Sequence, residues 1–509
     1  MTGTVLPSTL DDAQVSFDEP DFGASAQKST GAASQVGKLY ADLFSKPQSA
    51  GERIRAKEQA TDGGDQPAVS VAAPRSPSTL ADCGLQLGLI ADLVLKQLYL
   101  HGTLLGGDIA RATRLPFSIV DEALRSMRDQ KCIEVASGDL VGRVSYRFAL
   151  TEQGRARARE SFEHCRYVGP APVPIEQYIE QCKLQHVTGA DCTMQRLRTT
   201  FQDEVIAPSL LEELGPAVCS GTSIFLHGPP GNGKTLIAKG LGRFLNLHGG
   251  EIYVPYAILA ESSIITVFDP GIHHTTDDLP VPRAPGVPEP PSYVVPDGHF
   301  DIRWRRIRRP VVITGGELTL EMLELQYSAG ANFYTAPMHI KANGGVFLVD
   351  DFGRQLVQPK ELLNRWIVPL EERVDYLTLS TGRKFMLPFE QLIIFSTNLE
   401  PRELVDDAFL RRIRHKVKID SPDRTTYTAI FQRVCQQKQI EFDETAVDLL
   451  FRKYYQSERV PRSSDPRDLL EIADSICRFH EQPFELNEDL IDESARRFFG
   501  HLSAVAFRC

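Results

Sequence analysis

The chain has 509 residues, too many for one ordinary domain at about 100–200 residues each. Hydrophobic residues make up 42% and charged residues 24%, which excludes a chain that is disordered throughout or collagen-like. With 56 Lys and Arg against 67 Asp and Glu the formal charge is -11, so the protein does not coat nucleic acid along its whole surface, and any such contact must be local.

The cysteines are scattered with no CxxC pair, and the first residues, MTGTVLPSTLDD, are not a secretory signal. Zinc ribbons and a disulfide framework are therefore not expected, and a cytoplasmic location is. The most apolar stretch, GLQLGLIADLVLKQLYL, is interrupted by Asp92 and Lys96. No membrane span is expected.

Residues 1–80 are rich in Ser, Ala, Gly, Asp and Pro and read as a disordered tail. Within it VGKLYADLFSK, residues 36–46, has the spacing of a short amphipathic helix. A transient helix without a partner is expected there rather than a docking element. Order begins near residue 84. Leu87, Ile90, Ala91, Val94, Leu95 and Leu98 follow the three-to-four spacing of a helix. DIARAT supplies a second helix, and Pro116 opens a third that runs to about Gln130. CIEVAS and RVSYRFALT alternate like strands about a Gly138-Asp139 turn, and TEQGRARARESFE begins a closing helix. Residues 82–166 are thus predicted to form a winged helix-turn-helix domain, and LTEQGRARA resembles the ending of many bacterial winged-helix domains. The Pro-rich YVGPAPVP opens a segment, 167–190, predicted to be an extended linker. Residues 191–420 alternate helices with buried apolar strands, which predicts an α/β core with a parallel sheet. An insert over 269–310 interrupts it, beginning with a Pro-rich loop of little periodicity. Residues 421–509 read as a helical lid.

The strongest motif is GPPGNGKT: Gly228, Pro229, Pro230, Gly231, Asn232, Gly233, Lys234 and Thr235. It lies between the apolar strand SIFLH and the helix TLIAKGLGRFL, the setting that GxxxxGK[ST] requires. Gly231 and Gly233 let backbone N–H groups surround phosphate oxygens at a helix N-terminus. Lys234 then reaches the β- and γ-phosphates of ATP, and Thr235 ligates Mg²⁺. Further on, GGVFLVDDFGRQ ends a buried strand in Asp350, placed to hold the Mg²⁺ shell, and Asp351, placed to polarise the attacking water. QLIIFSTN ends a third strand in Asn398, which can orient that water.

In this order across residues 185–480 the motifs resemble the AAA+ ATPases. The resemblance implies a ring-forming P-loop ATPase, with a hexamer as the expected ring. It also implies an α/β core and a helical lid. VDYLTL-STGR-KFML resembles the hairpin that precedes the sensor strand in the MoxR-like and related clades. YVGPAPVP, GGELTLEML and GGVFLVDDFGRQ are similar to bacterial putative chaperone ATPases associated with Flp pilus assembly. By position, the resemblance makes Arg412 the arginine finger, with Arg411 and Arg414 as competitors. It makes Arg467 the lid arginine that contacts the γ-phosphate, with Arg462 as its rival. HVTG, residues 186–189, falls where the family packs adenine. The family usually has Glu where this chain has Asp351, so the implied hydrolysis is slow.

The predicted winged helix carries 12 basic and 11 acidic side chains, a poor balance for a phosphate surface. The third helix sets Arg125, Arg128 and Lys131 against Asp121, Glu122 and Asp129, and the wing adds Arg143 and Arg147. Docking of a protein client is expected from this module, with duplex DNA as the alternative partner. In DIRWRRIRRP, residues 301–310, Arg interleaved with Trp304 has the composition of a base-stacking surface, but a solvated strand is expected. His273, His274, Asp277 and Asp278 are expected in a surface loop rather than on a metal. The function expected is ATP-driven remodelling of a protein client, against a DNA-acting regulator or loader.

Overall fold

The computed structural model describes residues 71–138, 142–187, 192–276, 300–404, 407–456 and 459–500. Residues 1–70 with the 36–46 segment, Asp139, Thr188, Gly189, Asp277, Asp278 and most of the insert lie outside the described residues.

The N-terminal part contains α1 (Leu80–Cys83), α2 (Leu87–His101), β1 (Leu104–Leu105), α3 (Gly106–Thr113), α4 (Phe117–Asp129), β2 (Ile133–Ser137), β3 (Arg147–Leu150) and α5 (Glu152–His164). Its three strands form an antiparallel sheet in the order β1-β3-β2. Local chemistry sets the ends. Thr79 and Asp82 make a reciprocal capping box at α1, and the Thr151 hydroxyl accepts the Gly154 N–H at 3.1 Å to start α5. Gly154 is required by close approach: a Cβ there would stand 1.8 Å from the Cys132 carbonyl oxygen. β1 was not legible in the sequence, because two residues carry no period. Arg143, expected in a strand, lies in a 3-10 turn, Arg143–Ser145.

The segment expected as an extended linker is instead part of the folded body. Val173 and Pro174 form β4, and α6 spans Ile175–Leu184. β4 joins a five-stranded sheet with β7 (Ala257–Ala260), β8 (Ser263–Thr266), β11 (Gln326–Ser328) and β12 (Phe333–Thr335), in the order β11-β12-β8-β7-β4. Tyr167 and Ala171 share one apolar core with α2, α4, Ala257 and Ile264. The end of the expected tail is folded too: Gln181 Nε2 donates to the Ala72 carbonyl at 2.9 Å, and Asp301 N–H donates to the Pro74 carbonyl at 2.8 Å.

The 301–310 run does contain the expected strand, but much of it is buried rather than solvated, and it is not a base-stacking surface. β6 (Ile252–Pro255) pairs antiparallel with β9 (Trp304–Ile307), and Trp304 is buried, stacked near Tyr178. Arg303 and Asp301 are buried as an ion pair at 2.7 Å. The same guanidinium donates to the carbonyls of Cys83 and Pro172 at 3.2 and 3.3 Å, which satisfies a charge that burial would otherwise penalise by several kcal/mol. Trp304 therefore cannot stack on bases. Arg-rich composition could not reveal this, because the partners lie up to 220 positions away. His273, expected on a surface loop, is also buried, its ring held by Asp269 N–H and the Lys341 carbonyl at 2.9 and 2.8 Å.

The α/β core holds β5 (Ser223–His227), β10 (Val311–Thr314), β13 (Val346–Val349), β16 (Leu392–Thr397) and β17 (His415–Lys418). They form one parallel sheet in the order β10-β13-β16-β5-β17. Strands such as SIFLH, VFLV and LIIFST are apolar almost throughout because helices cover both faces. Around this sheet lie α7 (Met194–Thr200), α8 (Pro208–Ser220), α9 (Lys234–His248), α10 (Met338–Lys341), α11 (Pro359–Arg365) and α12 (Ile367–Glu372). A hairpin of β14 (Val374–Thr378) and β15 (Lys384–Pro388) precedes β16, as expected. The short α13 (Pro401–Leu404) and α14 (Asp407–Leu410) lead to β17. The lid consists of α15 (Arg424–Lys438), α16 (Glu444–Lys453), α17 (Asp465–Phe479) and α18 (Glu488–Phe499), with its own core around Tyr427, Phe431, Leu450 and Leu470. The fold class is the expected one, a parallel α/β sheet flanked by helices and followed by a helical segment.

Candidate nucleotide site

β5 is the fourth of the five strands, lying between β16 and β17, and the GPPGNGKT loop joins it to α9, which starts at Lys234. Gly228, Gly231 and Gly233 have φ of 136°, 82° and 83°, a region that side-chain-bearing residues rarely adopt. At Gly228 a Cβ would also lie 2.2 Å from the Ile419 carbonyl oxygen. The loop therefore curls over the N-terminus of a 15-residue helix, where orphan N–H groups favour an anion. Lys234 is buried and donates to the carbonyls of Gly228 and Pro229, each at 2.8 Å. Burial pulls its pKa down, opposed by the carboxylates of Asp350 and Asp351.

Asp350 and Asp351 follow β13, the strand two places from β5, and Asn398 follows β16, which lies between them. The Thr235 hydroxyl donates to Asp350 Oδ2 at 2.8 Å. This pair of hard oxygen donors fits Mg²⁺, an ion that takes few protein ligands. Asn398 Nδ2 donates to Asp351 Oδ1 at 3.2 Å. Asp351 has φ of 49°, a left-handed conformation that Asp tolerates better than most residues because its short side chain bonds locally. That gives a physical reason for Asp in this turn.

Sequence reading missed two residues that hold this arrangement. Gln355 Nε2 donates to the carbonyls of Asp350 and Asp351 at 2.8 and 3.1 Å, and its Oε1 accepts Gly353 N–H at 2.8 Å. Thr397 Oγ1 donates to the Phe352 carbonyl at 2.7 Å and accepts Leu399 N–H at 3.2 Å, which laces the acidic turn to the Asn398 turn. Side-chain to backbone bonds across strands leave no pattern in a single sequence.

The lid touches the phosphate loop. Asn232 Oδ1 accepts Ser463 N–H at 3.1 Å, Asn232 Nδ2 donates to Ser421 Oγ at 3.2 Å, and Gly231 carbonyl accepts Ser464 N–H at 2.9 Å. Arg462 lies alongside: a Cβ on Gly231 would stand 3.2 Å from its Cδ. Arg467 is 62% exposed and its guanidinium pairs with Asp468 at 3.1 Å. Asp465 supports the docking loop by accepting Arg462 N–H at 3.0 Å and Tyr455 Oη–H at 2.7 Å. Arg412 is held by Glu371 at 2.7 Å, and Arg411 and Arg414 flank it as exposed side chains. In the N-terminal part, Asp121 pairs with both Arg125 and Arg143 at 3.2 Å, so two of the cations that the alternative DNA reading would use are paired with a carboxylate. Of the HVTG segment, Val187 is buried, and Thr188 and Gly189 lie outside the described residues.

Residues 423–497 match a family model described as a domain of unknown function, DUF8689. The chain is 38% identical over 77 residues to the vesicular-fusion protein SEC18 of Saccharomyces cerevisiae, covering 14% of this chain and 10% of that protein. It is 36% identical over 77 residues to the vesicle-fusing ATPase of Caenorhabditis elegans, covering 14% and 9%. The chain thus spans about a tenth of the length of these curated relatives. Among solved structures, the RuvB Holliday junction branch migration motor of Thermotoga maritima aligns with a TM-score of 0.32 at 16% identity, over 60% of this chain and 73% of that one. Domain III of the Thermotoga maritima replication initiation protein DnaA aligns with a TM-score of 0.32 at 13% identity, over 59% and 97%. No helix among the described residues is long and apolar enough to cross a membrane.

Proposed function

We propose that this protein is an AAA+ ATPase that binds ATP with Mg²⁺ and uses hydrolysis to remodel a protein client. The observation that carries the reading is the convergence of three neighbouring strand ends. Lys234 and Thr235 follow β5, Asp350 and Asp351 follow β13, and Asn398 follows β16, joined by the Thr235–Asp350 and Asn398–Asp351 bonds. The local similarity to a vesicle-fusing ATPase supports the same reaction class.

In this reading the loop N–H groups and Lys234 bind the phosphates, which breaks the lysine's bonds to Gly228 and Pro229 carbonyls. Thr235 and Asp350 would hold Mg²⁺, which when bound would neutralise charge on the phosphate oxygens. Asp351 accepts a proton from the attacking water, and Asn398 fixes the carboxylate that does so. The shorter reach of Asp351, compared with Glu, makes turnover slow. Arg412 serves a neighbouring subunit of a homo-oligomeric ring, proposed to be a hexamer, after leaving Glu371. For the lid arginine the geometry supports Arg462, against the phosphate loop, over Arg467. The N-terminal part, read as a winged helix, recruits the client, and the pairing of Arg125 and Arg143 with Asp121 supports protein over DNA. The β14–β15 hairpin supports placement near the MoxR-like clades, while the Flp pilus link rests on sequence resemblance alone. A cytoplasmic site of action accords with this chemistry.

Phosphate release by the purified chain tests the proposal. Asp351→Asn is expected to keep ATP binding and lose about 10²–10⁴ in turnover, the usual worth of a general base. Wild-type protein that binds ATP without releasing phosphate would refute hydrolysis and leave a nucleotide-switched scaffold.

A further inference from the structure

Of the cysteines in the described residues, Cys83, Cys132, Cys182, Cys435 and Cys477 are buried. Burial pushes the thiols of Cys182 and Cys435 up to about 12 and about 11, so they stay protonated and unreactive. Cys219 is exposed and Cys192 is partly exposed, and they meet although 27 positions apart. Cys219 Sγ donates to the Cys192 carbonyl at 3.7 Å. Cys192 Sγ in turn donates to the Gly215 carbonyl at 3.5 Å. Gly215 lies one helical turn before Cys219, so its carbonyl is the α-helical acceptor for the Cys219 N–H. Each sulfur thus rests against the main chain that carries the other.

The span between them grips both halves of the nucleotide site. Phe201 fills the space beside Gly240 on the phosphate-loop helix α9, where a Cβ would stand 2.0 Å from its ring. Glu204 pairs with Arg243 of the same helix at 2.6 Å. On the other side Arg433, from lid helix α15, donates to the Asp203 carbonyl at 3.1 Å and to Asp203 Oδ1 at 2.7 Å. A bond between residues 192 and 219 closes a loop that contains all of these anchors.

We propose that Cys192 and Cys219 are a thiol–disulfide pair that fixes the segment joining the phosphate-loop helix to the lid, with a low-molecular-weight disulfide as the oxidant. The exposed Cys219 thiolate attacks one sulfur of that disulfide and expels a small thiolate, leaving a mixed disulfide on Cys219. Cys192 thiolate then attacks Cys219 Sγ and expels the second small thiolate. Two protein thiols are oxidised, one small disulfide is reduced, and the two protein protons pass to the two departing thiolates. A small dithiol reverses the sequence.

The full-length chain is incubated with oxidised glutathione, quenched with acid and digested for peptide mapping. A dithiothreitol-reversible Cys192–Cys219 peptide is expected, with a loss of about 2 Da from the intact mass. The thermal midpoint is expected to rise by a few degrees on oxidation and not to rise in Cys192→Ser or Cys219→Ser. A bridge from either cysteine to any other, or glutathione retained on Cys219 with no bridge, overturns the assignment. Neither readout depends on ATP hydrolysis, so failure of the proposed function leaves this test intact. With the bridge mapped, ATP turnover is expected to fall several-fold in the oxidised wild type and recover with dithiothreitol. Equal turnover in both states overturns the regulatory part.

Discussion

Asn232 occupies the last of the four variable positions in GxxxxGK[ST], and its side chain joins the phosphate loop to the lid. It is 5% exposed and makes two hydrogen bonds, from Ser463 N–H and to Ser421 Oγ. Asn232→Ala removes both. A neutral hydrogen bond contributes about 0.5–1.5 kcal/mol net, and both serines are partly exposed, so water replaces the lost partner. The pair is then worth about 1–2 kcal/mol. The Ser464 N–H bond to the Gly231 carbonyl survives because both atoms are main chain. The loss falls on docking of the 462–464 loop rather than on global unfolding, since the lid has its own core. It corresponds to a factor of about 5–30 in the docking equilibrium. Amide hydrogen exchange read by mass spectrometry measures this directly. Protection over residues 462–465 is expected to fall by about 5–30-fold, with β5 and α18 unchanged. Protection within about twofold of wild type would refute the latch and the magnitude assigned to it.

Three further outcomes are expected. Arg412→Ala should lower turnover by about 10³–10⁵ while sparing ATP binding, measured by phosphate release beside nucleotide affinity; retained hydrolysis removes the finger assignment. Arg462→Ala should weaken ATP affinity by about 10-fold or more, the value of one charge-assisted hydrogen bond, whereas Arg467→Ala changes it little; the reverse ranking, by fluorescent-nucleotide titration, would restore Arg467. Burial pushes His273 from 6.5 down to about 4. Between those values the unfolded chain binds a proton that the native chain refuses, so stability falls as pH drops from about 6.5 to about 4, by up to about 3 kcal/mol. Urea midpoints at pH 7.5 and 4.5 should differ less in His273→Gln than in the wild type; an equal difference in both would show that His273 does not titrate this way.

The sequence by itself determined the parts whose chemistry is local. GPPGNGKT needs its glycines for positive φ within one turn, and the apolar runs before Asp350 and Asn398 state that those residues end buried strands. The first long helix of the N-terminal part was legible from the three-to-four spacing of Leu87 to Leu98, whereas the caps at Thr151 and Asp423 emerged only in the structure. Only the tertiary structure decided where isolated charges and short segments go. It buried Arg303 and Trp304 in a run whose composition suggested solvent or bases, and folded residues 173–184 into a strand and helix. It also set Arg462, not Arg467, against Gly231. The physical reason is common to all three. A charge or a two-residue strand is settled by partners far along the chain, and Asp301, Cys83 and Pro172 around one guanidinium leave no spacing for a sequence to display.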